Sequence, residues 1–134
     1  MRAAMALLGG RSSPIIASAP VGPSQRRYAN AATVIDSDET PAQLLTRLKQ
    51  IERAFGRRRG RRWGARPLDL DIVLWSGGAW ASRGLVVPHV AFRDRDFVLR
   101  PLARIVPGWR DPVTGLRVRQ LAHRLTARRP LPRR

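Results

Sequence analysis

Leu44, Leu45, Leu48 and Ile51 recur at spacings of one, three and three, with polar residues filling most of the gaps. That spacing draws one apolar stripe along a helix from Pro41 to about Phe55. Thr40 reads as its N-cap, Pro41 as its first helical residue and Gly56 as its stop. Leu68 to Trp75 (LDLDIVLW) instead alternates Leu, Asp, Leu, Asp before a wholly apolar end, which is the period of a β-strand. Ser12 to Ser18, around Pro14, Ile15 and Ile16, and Tyr28 to Ile35 carry weaker strand-like patches. Leu85-Val86-Val87 is a short apolar run stopped by Pro88-His89. Asp96 to Ile105 reads as a helix around Val98, Leu102 and Ile105 with Pro101 in its first turn, and Leu116 to Leu125 as a last helix. Ala19 to Pro23, Asp36 to Thr40, Gly56 to Pro67 and Ser76 to Gly84 are loop or turn sequences by their Gly, Pro and polar content.

These elements add up to an α+β chain, and 134 residues suit one domain over 1–134. A hydrophobic share of 43% with 26% charged residues fits a globular rather than a disordered chain. The absence of Cys excludes a disulfide framework, a thiolate metal site and cysteine catalysis. No apolar run approaches the ~20 residues of a membrane helix. Met1 to Gly10 has one Arg and a short Ala/Leu stretch, too weak for a signal peptide. A soluble, cytoplasmic monomer is expected.

Charge sharpens the picture. Lys and Arg number 26 against 9 acids, a formal charge of +17, and Lys49 is the only lysine. Such a surplus attracts polyanions, nucleic acid first among them. One group of arginines, Arg117 to Arg134, fills an end with no acid after Asp111, and 128–134 read as a solvated, disordered tail. The other (Arg57, Arg58, Arg59, Arg61, Arg62, Arg66) crowds the segment just before Leu68-Asp69-Leu70-Asp71.

That juxtaposition carries chemistry. On a strand, residues i and i+2 share a face, so Asp69 and Asp71 emerge together while Leu68, Leu70 and Ile72 face the other side. Two adjacent carboxylates repel unless a cation lies between them. An oxygen-only pair without His or Cys suits Mg²⁺, which binds one or two carboxylates and takes further ligands from phosphates. Alone, the pair reads equally as the wet face of a half-exposed strand. The preceding loop shifts the balance: guanidinium forks match phosphate oxygens, Gly60 and Gly64 allow closure over a ligand, and Trp63 offers a flat surface for a ring or an anchor for the loop. A nucleic-acid patch would use the arginines but gain nothing from two exposed acids beside them. The asymmetry favours phosphoryl-type transfer from a nucleotide.

Arg62-Trp63-Gly64-Ala65-Arg66-Pro67-Leu68-Asp69-Leu70-Asp71-Ile72 resembles the signature R-W-G-P-R-x-L-D-L-D-I of the 6-hydroxymethyl-7,8-dihydropterin pyrophosphokinases, enzymes of folate biosynthesis. Ile51-Glu52 followed by Gly56-Arg57-x-Arg59 is similar to that family's I-E…G-R-x-R. Val87-Pro88-His89 followed by Arg95-x-Phe97-Val98-Leu99-x-Pro101-Leu102 is similar to its V-P-H…R-x-F-x-L-x-P-L. Pro20-Val21-Gly22-Pro23 and Tyr28-Ala29-Asn30-Ala31-Ala32 match its P-x-G-P and Y-x-N-A-A. The resemblance covers roughly Ser12 to Gln120. It implies a ferredoxin-like α/β sandwich with an antiparallel sheet and transfer of diphosphate from ATP to the pterin hydroxymethyl group, releasing AMP. It further implies that Asp69 and Asp71 ligate two Mg²⁺ ions across the triphosphate. Arg57 and Arg66 would hold phosphates, with Arg59, Ile72, His89 and Arg95 as further ATP contacts. Phe97 would stack on the pterin, Trp63 close over it, and Asn30 read its hydrogen-bonding edge. Ser18, Ala19, Val21 and Tyr28 would line the same pocket. Without the resemblance, Phe97 and Tyr28 read as core aromatics, Asn30 as a solvent-facing strand amide and His89 as a loop histidine.

The match has departures. Ala65 and Ala19 stand where the family has proline, Ala91 where an acid is frequent, and the Gly56–Trp63 loop is one residue shorter than a common length. The family's first strand and most of its first helix find no counterpart, Met1 to Gly9 reading as the end of that helix. An incomplete sheet with an exposed apolar face is the expectation that follows. Two alternatives stand beside the enzyme: an inactive truncated relative, and a basic nucleic-acid-binding protein, which would need aromatics interleaved with its arginines.

Overall fold

Thr40 caps a helix as its sequence requires. The Thr40 Oγ1 accepts the Gln43 amide at 3.2 Å, and the Gln43 side chain accepts the Thr40 amide at 2.9 Å. This computed structural model describes residues 1–18, 28–59 and 68–127. Its elements, in chain order, are α1 (Arg2–Leu8), β1 (Arg11–Ser12), β2 (Ile16–Ser18), β3 (Tyr28–Asn30), β4 (Thr33–Val34), α2 (Pro41–Arg59), β5 (Trp80–Ser82), β6 (Leu85–Val87), a 3₁₀ turn (Phe92–Asp94), α3 (Asp96–Ile105) and α4 (Val118–Ala127). Every described strand pair is antiparallel: β1 with β4, β2 with β3 and β5 with β6. The α+β class is as expected, with the strands arranged as three two-stranded ladders.

Local chemistry explains where the expected elements break. Pro14 has no amide to donate, so Ser12–Ser18 divides into β1 and β2. At the break, buried Ser13 keeps the segment tied to Ala32, its amide donating to the Ala32 carbonyl at 2.8 Å and its Oγ accepting the Ala32 amide at 3.0 Å. Tyr28–Ile35 divides correspondingly into β3 and β4. Gly56 does not stop α2, which continues to Arg59. Ending a helix at glycine requires a left-handed residue, and Gly56 does not have positive φ. Pro101 is the sixth residue of α3 rather than part of its first turn, and it is buried there. The Ser76–Gly84 turn region also contains β5, which pairs with β6 around Gly84 at φ 76°.

The core forms where α3 and α4 meet the 3₁₀ turn: Phe92, Leu99, Leu102, Ile105, Val106, Val118 and Leu121 are buried together. Ala32, Val34, Val73 and Leu74 pack on it from the strand side. Arg11 fastens β1 to this core by donating to the Ile105 carbonyl at 2.6 Å, a cation at a helix C-terminus.

Leu68–Trp75 departs most from expectation. Among the described residues it joins no strand ladder; Trp75 makes an isolated bridge to Gly78. Its backbone is held at other points instead. The Leu70 amide donates to Glu52 Oε2 at 2.5 Å, and the Val73 carbonyl accepts the His89 amide at 3.0 Å. The alternation read from the sequence survives all the same: Leu68, Leu70 and Ile72 are half-buried, while Asp69 and Asp71 are exposed.

Candidate active site

A cleft of about 470 Å³ runs past the segment carrying the two acids, and Asp69, Asp71 and Ile72 line it with Asn30, Arg95 and Phe97. Six residues singled out from three separate stretches of sequence thus meet at one cavity. The half-buried flanking leucines fix which way the segment turns its acids, so both carboxylates point away from the core. Among the described residues neither is engaged in an ion pair. Among the described residues no group of three or more His, Asp or Glu gathers there either. Two exposed carboxylates offering only hard oxygens fit a magnesium ion whose other ligands come from water and phosphate.

The other wall is set by α3. Arg95 is its N-cap, and its carbonyl accepts the Val98 and Leu99 amides, both at 3.0 Å. The Arg95 guanidinium lies 5.8 Å from the Phe97 ring centroid, within cation–π range. Phe97 is half-buried, so it is neither a sealed core residue nor a loose surface one. Asn30, also half-buried, ends β3.

His89 stands apart, since it does not line the cleft. Its Nδ1 accepts the Ala91 amide at 3.1 Å. Its backbone amide donates to the Val73 carbonyl, which links it to the segment carrying Asp69 and Asp71. Arg57 and Arg59 fall on the last turn of α2. Ser18 and Tyr28 are register partners in the β2–β3 ladder. Ala19, Val21, Trp63 and Arg66 lie outside the described residues.

One model of a known family, described as 7,8-dihydro-6-hydroxymethylpterin-pyrophosphokinase, matches residues 1–107. The chain belongs to this family. Similar relatives, each named 2-amino-4-hydroxy-6-hydroxymethyldihydropteridine pyrophosphokinase, come from several bacteria. The Synechocystis sp. protein is 38% identical over 123 residues, covering 89% of this chain and 63% of its own length. That of Methylorubrum extorquens is 46% identical over 80 residues, covering 60% and 51%. That of Pseudomonas aeruginosa is 43% identical over 101 residues, covering 75% and 62%. The chain therefore spans between half and two thirds of the length of the pyrophosphokinases it matches.

Two features of the site region escape sequence reasoning. Buried Asp111 accepts from Arg93, Thr114 Oγ1 and the Val113 amide, and so anchors the turn on which Arg93 precedes Arg95. Asp-Pro-Val-Thr-Gly is a recognisable Asx-turn sequence, so a signal was there. The Glu52–Leu70 bond joins residues 18 positions apart and leaves no local signature.

Proposed function

We propose that this chain carries the catalytic site of a pyrophosphokinase that transfers diphosphate from ATP to the hydroxymethyl group of 6-hydroxymethyl-7,8-dihydropterin. The observation that carries the reading is the single cleft lined by both exposed carboxylates and by Asn30 and Phe97. Carboxylates serve a nucleotide's metal, while an amide and an aromatic face serve a flat heterocycle with hydrogen-bonding edges. In the reaction, the hydroxymethyl oxygen attacks the β-phosphorus of ATP, the bond from that phosphorus to the α,β-bridging oxygen breaks, and AMP leaves. The hydroxyl proton passes to solvent.

Asp69 and Asp71 would hold two Mg²⁺ ions, which neutralise charge on the entering and leaving oxygens. Arg57 and Arg66 are assigned to the phosphates, with Arg59, Ile72, His89 and Arg95 as further ATP contacts. Phe97 stacks on the pterin, Asn30 reads its edge, and Ser18, Ala19, Val21, Tyr28 and Trp63 complete the pocket. Orientation dominates: the two substrates lose their relative freedom in the cleft before any bond changes. The step is placed in folate synthesis in the cytoplasm by a monomeric single domain, with 128–134 as a basic tail. Among the described residues no helix is long and apolar enough to cross a membrane.

The deciding measurement is AMP release from ATP in the presence and absence of the hydroxymethyl pterin. Pterin-dependent AMP, absent when Mg²⁺ is chelated, is the expected result. Release of ADP, or AMP release indifferent to pterin, overturns the assignment.

A further inference from the structure

We infer that Glu52 is a positioning residue for the Asp69–Asp71 pair, holding it in register with the arginine-bearing end of α2 through the amide of Leu70. This rests on the phosphoryl-transfer reading above. The Glu52 Oε2 accepts the Leu70 amide at 2.5 Å, and Leu70 is the residue between the two acids. Its amide is thus the fixed point about which both carboxylates are aimed. Among the described residues no strand ladder restrains this segment. A side-chain carboxylate therefore supplies the restraint that a neighbouring strand's carbonyl ordinarily gives.

The bond also spans the site. Glu52 lies on α2 one to two turns before Arg57 and Arg59, so the contact ties the backbone between the two acids to the helix whose last turn bears those arginines in sequence. Glu52 is separate from the two exposed acids in this arrangement, its Oε2 being taken by the Leu70 amide. Its other partner is Lys49 Nζ at 3.4 Å, a pair at i and i+3 whose lysine is half-exposed. An exposed pair of that kind contributes little. The bond to a backbone amide, made by a charged acceptor on a half-buried side chain, is the stronger of the two.

The role separates acceptor geometry from charge. Glu52→Gln keeps a carbonyl oxygen at the same reach and loses the charge. Glu52→Asp keeps the charge and falls short by one methylene, and Glu52→Ala loses both. Two readouts are taken on the full chain: amide hydrogen exchange at Leu70, and the Mg²⁺ concentration giving half-maximal ATP binding by calorimetry, with Asp71→Asn as control. The expected result is faster Leu70 exchange in the Ala and Asp variants, by about tenfold or more. Their Mg²⁺ requirement rises about tenfold, while Gln stays within about threefold of the parent, as loss of one charge-assisted bond predicts. Should Glu52→Ala fail to fold, the contrast between Gln and Asp decides alone. Rescue by Asp and not by Gln overturns the inference in favour of a charge role. An unchanged Mg²⁺ requirement in the Ala and Asp variants, with Asp71→Asn shifted, overturns it while leaving the metal assignment intact. A parent chain whose ATP binding ignores Mg²⁺ overturns the phosphoryl-transfer reading, and this inference with it.

Discussion

Arg93 grips Asp111 with two parallel bonds, Nε to Oδ2 at 2.5 Å and Nη2 to Oδ1 at 2.8 Å, and the Asp111 side chain has no exposed surface at all. The aspartate is further bound by Thr114 Oγ1 at 2.7 Å and by the Val113 amide at 3.0 Å. This joins the turn leading into α4 to the 3₁₀ turn that precedes Arg95 and Phe97, so a contact outside the cleft supports one of its walls. Arg93 holds the Asp111 carboxyl down from its ordinary 3.8 to about 2, with Thr114 and Val113 adding to the effect against the cost of burial.

The pH consequence follows in sign and window. A carboxyl whose pKa is lower in the folded state stabilises the fold fully above its unfolded value. It loses that contribution as pH falls through the folded value. The chain should therefore lose stability between about pH 4 and pH 2, by on the order of 2 kcal/mol from this group. Asp111→Asn should flatten that part of the profile while lowering stability at neutral pH. Because it strands Arg93 beside a neutral amide, the neutral-pH cost should reach about 3 kcal/mol. Urea melts from pH 2 to 7 check both, and an unchanged acid limb in the variant would remove Asp111 as its source.

Loss of a metal ligand should separate activity from stability. Asp71 is exposed and, among the described residues, outside any ion pair, so Asp71→Ala has little folded structure to disturb. Its melting temperature should stay within about 2 °C of the parent. Turnover should fall by about three decades or more, since several kcal/mol of charge stabilisation is lost. AMP release at the parent rate would sink the assignment of the acids.

What was legible in the sequence follows the range of the interactions involved. The Thr40 cap, the stripe of α2 and the apolar periodicity of α3 depend on neighbours within one or two turns, and each is present. The alternation of Leu68 to Ile72 correctly gave the outward direction of Asp69 and Asp71. It could not give the pairing, because a ladder needs a partner strand and among the described residues Leu70 meets a glutamate instead. Spacing alone does not bring residues 30 and 97 to the cavity they share with Asp69, Asp71 and Arg95; only the motif resemblance connects them in the sequence. Gly56 does not end α2, because glycine ends a helix by turning left-handed, a choice made by the surrounding chain rather than by the residue.

Phe97 should govern the pterin more than the nucleotide. It is half-buried on the cleft and lies beneath Arg95. Removing the ring by Phe97→Ala takes away a stacking surface of about 0.5–1.5 kcal/mol. The KM for the pterin should rise about threefold to tenfold, with that for ATP moving less than twofold. Phe97→Tyr, which keeps the ring, should stay near the parent. A larger change for ATP than for the pterin would reassign Phe97 to the nucleotide side.

The surplus of arginine provides the last test, because it bears on the competing nucleic-acid reading. A formal charge of +17 must attract any polyanion at low ionic strength. The attraction is counterion release, so its logarithm falls linearly with the logarithm of salt concentration. Duplex DNA should therefore bind weakly near 20 mM salt and lose roughly a hundredfold or more in affinity by about 200 mM, with no preference among sequences. Specific recognition would behave differently, since base contacts survive screening and discriminate by about 1–3 kcal/mol per position. Deleting Pro130 to Arg134 should reduce the DNA binding and leave pterin-dependent AMP release almost unaltered. Fluorescence anisotropy across a salt series, run beside the turnover assay, measures both quantities on one preparation. Binding that stays nanomolar at 200 mM salt and distinguishes sequences would make nucleic acid a ligand in its own right, and the arginines preceding Asp69 would then need a different explanation from the phosphates of ATP.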